Sequence, residues 1–158
     1  MRRKELLAKI KKIESFYFPK HRPTLIHVTK TRPISDIEAA YDLGIRDFGE
    51  NRVDELKEKS EYFVEKGIID IRWHFIGKLQ SNKMNRLLKI NNLFAIHSID
   101  SLKLLKSLYE RQENLSTDKF LFFVQVNTSQ ENEKSGVSNW DELASLANFY
   151  SGRSDSRL

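Results

Sequence analysis

Five times along this chain a short, apolar, strand-like run gives way to a segment with helical spacing, and that alternation dictates βα units around a parallel sheet. The strand-like runs fall at 24–29, 45–48, 68–76, 93–99 and 120–126. Helical patterns follow from Ile34, over 52–66, over 82–90, from Asp100 to about Asn114, and from Ser138 onward. Ahead of them, Leu6, Leu7, Ile10, Ile13 and Phe16 or Tyr17 line one face of an amphipathic helix over 3–17. Right-handed crossovers set every strand's C-terminal end on one side, where α/β proteins build their sites.

Local signals sharpen these elements. Ser35 with Glu38 reads as a capping box, Ile34 against Ala39 as its staple, and Gly44 as the stop of that helix. Asp100 and Ser138 are the expected caps of the last two helices, the final one turning Trp140, Leu143, Ala144, Ala147 and Tyr150 inward. The run 120–126 is almost unbroken in its apolar character, as expected of a strand covered on both faces. Residues 151–158 are polar and without period, so a disordered tail is expected there, after a domain over 1–150.

Composition removes several function classes. The chain has no cysteine, so disulfides, thiolate metal sites and cysteine nucleophiles are excluded. Its net charge of +5 invites a nucleic-acid reading, but residues 1–22 alone carry a net +6 and the remainder a net −1. The basicity belongs to the leading helix and its exit, not to a stripe across the domain, and no nucleic-acid partner is expected. No run approaches a membrane span and the N-terminus is amphipathic, so a cytoplasmic protein without membrane contact is expected.

The stretch Thr24 to Pro33 carries the first candidate for chemistry. A strand ends on Lys30, and Pro33 prevents further pairing. A lysine at the mouth of a buried strand can be partly desolvated, which favours the neutral amine and makes it a nucleophile toward aldehydes. Lys30 is therefore a candidate for a Schiff base with a carbonyl cofactor; a solvated lysine at a strand end is the alternative.

Later loops extend the pattern. Val28-Thr29-Lys30-Thr31-x-Pro33, Phe48-Gly49-Glu50-Asn51-x-Val53, His74-Phe75-Ile76-Gly77-x-Leu79-Gln80-x-Asn82-Lys83, His97-Ser98-x-Asp100-Ser101 and Gln125-Val126-Asn127 with Glu131 and Lys134-x-Gly136 occur in order. Together they cover about residues 24 to 137, and the chain resembles the pyridoxal phosphate homeostasis protein family, single-domain relatives of the alanine racemase N-terminal barrel. The resemblance implies a (β/α)8, TIM-barrel-like fold, of which about five βα units are present. It implies pyridoxal 5'-phosphate as cofactor, held as a Schiff base on Lys30, with Asn51 near it and His74, Gln80 and Asn82 in the loop walls. It implies cofactor homeostasis or carriage without established catalysis, and no metal. For Asn51 an N-cap of the 52–66 helix is an equal reading, and for His74 and His97 a hydrogen-bonded core histidine. Gly49 and Gly77 read as turn glycines rather than ligands.

Departures from the family pattern matter as well. His27 and Thr29 stand where alanine and serine are usual, and Gln130 where glycine is common. The segments that hold the phosphate and face the pyridine nitrogen in such barrels have no counterpart in 138–158, so weak cofactor binding is expected. Full-length relatives are implied to be monomers. Here the apolar run Phe120 to Val124 would form an open edge, and self-association is expected. The alternative function is a racemase-like enzyme, which needs a second acid/base opposite the lysine. Tyr17, Tyr41, Tyr62, Tyr109 and Tyr150 all fall on expected helices, which argues against turnover. A basic interaction module over 1–22 is a third reading.

Overall fold

A parallel strand can pair with the strand before it only if the intervening chain crosses back over the sheet, and helices of 4–13 residues do so here. The computed structural model describes residues 3–17, 23–113, 120–129 and 135–151. In chain order the elements are α1 (Arg3–Tyr17), β1 (His27–Val28), α2 (Ile34–Tyr41), β2 (Asp47–Glu50), α3 (Val53–Glu65) and β3 (Arg72–Phe75). A short 3-10 turn, Ser81–Lys83, then leads to α4 (Met84–Leu87), β4 (Leu93–Ile99), α5 (Leu102–Glu113), β5 (Leu121–Val124) and α6 (Trp140–Ser151). The five strands form one sheet in the order β1-β2-β3-β4-β5, every neighbouring pair parallel. The α/β class expected from the alternation is therefore the observed one.

The two faces of the sheet differ sharply. On one, the Trp73 ring meets those of Phe48 and of Phe63 from α3 in tilted contacts at centroid distances of 5.8 and 6.1 Å. Ile37, Leu56, Leu105, Leu108 and Leu146 of the covering helices bury themselves beside them. Each such side chain contributes roughly 1.5–3 kcal/mol when fully buried, so this helix-covered side carries the stability. Register places Val28, Gly49 and His74 on the opposite face, and ring contacts add Phe94, His97 and Phe123. There Val28, Phe94 and Phe123 are 51%, 36% and 45% exposed. No helix among the described residues covers that side.

Several local expectations shift. The first strand shrinks to His27–Val28, and the third to Arg72–Phe75, because Ile68 turns back to donate its N–H to the Phe63 carbonyl behind Gly67. Helix α2 begins at Ile34, one residue ahead of Ser35, so no capping box forms. Its Glu38 instead accepts the Tyr62 hydroxyl. Ser101 rather than Asp100 caps α5, accepting the Leu104 N–H, and Asn139 rather than Ser138 caps α6, accepting the Glu142 N–H. The inward face of α6 also differs from the expected one: Leu146 is buried, Leu143 and Phe149 are half-buried, and Trp140 lies 82% exposed. β5 is covered on one face only, Phe122 buried and Phe123 not. β1 and β5 are the sheet edges, but the return of the chain at Val137 bridges Val126 just past β5. Gly44 does end α2, with φ +91°. Gln130 and the tail from 152 lie outside the described residues.

Candidate functional site

Lys30 sits at the second position of a tight turn. The Arg32 N–H donates to the Thr29 carbonyl at 2.9 Å, so Lys30 and Thr31 are the central residues. Thr31 has φ +60°, a left-handed conformation that is an outlier for a β-branched residue. The Lys30 side chain is exposed and, among the described residues, has no hydrogen-bond or ion-pair partner.

Its neighbours are held from below. Thr29 is buried; its N–H donates to the Gly49 carbonyl at 2.9 Å and its hydroxyl to Glu50 Oε1 at 2.7 Å. Lys59, from α3, donates to the Thr29 carbonyl at 2.8 Å and to Glu50 Oε1 and Glu55 Oε1 at 2.7 Å each. These three bonds satisfy the whole ammonium group. Glu55 Oε1 also accepts the Thr31 N–H at 2.8 Å. The Lys59 and Glu50 side chains are 6% and 0% exposed, and among the described residues Glu50 Oε2 has no partner. Burial pushes the Glu55 carboxyl up, but hydrogen bonds from Lys59 and the Thr31 N–H, with the charges of Lys59 and Arg52, leave it below its ordinary value.

Asn51 follows β2 on the same side and is exposed. The N-cap position of α3 belongs to Arg52, so Asn51 does not cap that helix. Its backbone lies tight under Gly77: a Cβ added at Gly77 would fall 2.1 Å from the Asn51 carbonyl oxygen. Gly49 lies within β2 rather than in a turn, and its added Cβ would meet Ile26 Cγ2 at 3.0 Å. Both glycines are there for close approach.

His74 lies one residue before the end of β3, beneath the loops. It is buried, with Nε2 2.9 Å from Asp47 Oδ1 and Nδ1 2.9 Å from His97 Nε2. Arg72 binds the same carboxylate through two nitrogens. Burial alone would raise the Asp47 pKa, but hydrogen bonds from Arg72 and His74 and their charges hold it below the ordinary value. An ionised Asp47 accepts from His74 Nε2–H, which leaves His74 Nδ1 to accept from His97 Nε2–H and His97 Nδ1 as a lone pair. The His97 ring stacks on Phe123, centroids 4.5 Å apart and planes 5° from parallel.

This chain of groups makes the fold acid-sensitive. Burial, opposed by Asp47, lowers the His74 pKa; burial and then the neighbouring His74 lower that of His97 from 6.5 to about 4. In the fold both rings take up protons only at lower pH than in the unfolded chain, which does so near pH 6.5. Stability is therefore full above pH 6.5 and declines toward pH 4; below that, Asp47 adds its own loss as it protonates. The melting temperature is expected to fall by on the order of 5 °C between pH 7 and 4.5, and less in His97→Gln. Parallel profiles for the two proteins would count against this account.

Residues Lys30, Asn51 and the cluster beneath them gather at the C-terminal ends of β1 and β2, while His74 lies a layer lower. An open cavity of about 340 Å3 lies elsewhere on that side, between Ile76 and Lys78 after β3 and Gln125 to Ser129 after β5; none of the three lines it. Sequence reasoning missed Glu55, Lys59, Asp47 and Arg72. The one available signal was Lys59, a lysine on the apolar stripe Val53, Leu56, Ser60, Phe63 with an acid four residues before it. Among the described residues no cluster of three His, Asp or Glu suits a metal ion, and no helix is long and apolar enough to cross a membrane.

No family model matches the chain. Individual proteins do. The human protein named pyridoxal phosphate homeostasis protein is 38% identical over 128 residues, 80% of this chain and 46% of that protein. The Escherichia coli protein of the same name is 42% identical over 123 residues, 77% of this chain and 51% of that one. Among solved structures, PipY of Synechococcus elongatus without pyridoxal phosphate superposes with a TM-score of 0.81 at 32% identity, covering 96% of this chain and 66% of PipY. PipY with pyridoxal phosphate bound gives 0.77, also at 32% identity, covering 94% of this chain and 64% of PipY. By sequence and by fold, the chain is similar to the proteins named pyridoxal phosphate homeostasis protein and to PipY, and it spans about half the length of the curated relatives it matches.

Proposed function

We propose that this chain binds pyridoxal 5'-phosphate covalently through Lys30 and serves in homeostasis or carriage of the cofactor rather than in turnover. The observation that carries this is the Lys30 turn: an exposed amine whose two neighbours are pinned by a buried ion cluster, in a relative of PipY. The site fits the aldehyde end of the group, because the amine is accessible and engaged by no described residue. When bound, the cofactor supplies an aldehyde for amine capture and an electron-withdrawing ring. Lys30 provides the nucleophile and Asn51 a side-chain amide for hydrogen bonding. His74 acts from beneath, fixing His97 through the Asp47 chain rather than touching the ligand.

We infer further that the sheet is the first part of a (β/α)8 barrel of the alanine racemase N-terminal type. Sequential strand order, uniform parallel pairing and the uncovered Val28, Phe94 and Phe123 support that reading. The tyrosines support carriage over racemisation: Tyr41 and Tyr62 lie on helices and donate to Asp70 and Glu38. The test is to mix the protein with pyridoxal phosphate, reduce with borohydride and map the adduct by mass spectrometry. A single pyridoxyl group on Lys30, absent from Lys30→Ala, is the expected result. An adduct elsewhere, or one unchanged in Lys30→Ala, would overturn the proposal.

A further inference from the structure

Thr31 is the strained point of the molecule: among the described residues only it and Asn92 combine a side chain with positive φ. Threonine gains nothing locally from that conformation, so something outside the turn must hold it. The contact available is from α3, where Glu55 Oε1 accepts the Thr31 N–H at 2.8 Å. On the other flank of Lys30, the Thr29 carbonyl is fixed by the Arg32 N–H and by Lys59 Nζ. Lys59 and Glu55 are themselves joined at 2.7 Å, one turn apart on the same helix. Helix α3 thus grips the turn on both sides of Lys30 while no described residue engages the Lys30 amine.

The geometry points to Glu55 as a positioning residue for Lys30: its carboxylate holds Thr31 in the left-handed conformation that aims the amine. The inference rests on the reading of Lys30 as the cofactor's amine, but it also makes a claim about the turn alone. Three variants separate the two. In Glu55→Ala the strained turn has no clip; in Glu55→Gln the amide oxygen still accepts the Thr31 N–H. In Glu55→Ala/Thr31→Gly the clip is absent, but glycine adopts positive φ without strain.

Two readouts are measured on the full chain: hydrogen exchange of the Arg32 amide, which reports turn closure without any cofactor, and the rate of the borohydride-trapped pyridoxal phosphate adduct. Glu55→Ala is expected to lose Arg32 protection and to form the adduct about ten- to a hundredfold more slowly, the range a misplaced reacting group costs. Glu55→Gln is expected to stay near wild type, and the double variant to recover both readouts. Melting temperatures identify any variant that has simply lost its fold. Adduct formation at the wild-type rate in folded Glu55→Ala would overturn the inference. So would a double variant that melts with wild type yet stays as slow as Glu55→Ala, since the loss would then lie in the Lys59 cluster and not in the turn. If the wild-type chain gives no adduct on Lys30, the cofactor reading fails; Arg32 exchange unchanged in Glu55→Ala would show that the clip fails as well.

Discussion

Lys59→Met is expected to lower the unfolding free energy by about 3–5 kcal/mol, the usual cost of leaving one member of a buried ion pair uncompensated. Glu50 is the reason. Its side chain is fully buried, one oxygen already has no partner among the described residues, and the other is shared between the Thr29 hydroxyl and Lys59 Nζ. Methionine matches the lysine stem in volume, so packing is nearly preserved and the loss reports the charge. For a chain of this size the change corresponds to a melting temperature lower by roughly 10 °C. The compensating variant, Glu50→Gln/Lys59→Met, removes the stranded charge while its amide oxygen still accepts from Thr29. It is expected to recover at least half the loss, because two apolar or neutral groups replace a pair whose desolvation is costly. Urea unfolding of wild type and both variants checks this. A Lys59→Met protein within about 1 kcal/mol of wild type would show that water reaches Glu50 after all.

The alternation of strand and helix was legible because each βα unit states its own periodicity, and β4 came out residue for residue at Leu93–Ile99. The boundaries that moved did so for tertiary reasons. Ile68 to Ile71 is as apolar as a strand, yet Ile69 is 71% exposed because Gly67 and the back-bond from Ile68 spend those residues on closing α3. Trp140 reads as a core anchor, but it stands in the first turn of α6 and is 82% exposed, while Leu146 is the residue of that helix that is buried. In the candidate site, Lys30 and Asn51 were visible as loop residues after strands. Lys59 carried only the signal of a lysine on an apolar stripe, since its carbonyl partner at Thr29 lies 30 residues away and a helical lysine reads as solvated. The Asp47–His74–His97 chain was equally hidden, because only strand register brings the three together.

Gly77→Ala should disturb both stability and the site, through sterics alone. Gly77 has no positive φ, so alanine suits its backbone; the difficulty is that the new methyl would lie 2.1 Å from the Asn51 oxygen and 2.7 Å from its carbonyl carbon and Cα. Those atoms are backbone and cannot rotate away. Either the loop after β3 lifts or Asn51 is pushed aside, at a cost of about 1–3 kcal/mol or somewhat more. Asn51 adjoins Glu50, whose carbonyl accepts the Ile76 N–H at 2.8 Å and whose carboxylate anchors Thr29, so the displacement is transmitted toward Lys30. Gly44→Ala supplies the contrast. Nothing lies within 4 Å of its added Cβ, but its φ is +91°, so its cost of about 1 kcal/mol comes from conformation and remains at the end of α2. The expected pattern is that both variants melt early, while only Gly77→Ala slows formation of the pyridoxyl adduct on Lys30. Equal adduct rates in the two proteins would mean that Asn51 and the Lys30 turn are not mechanically joined through Glu50.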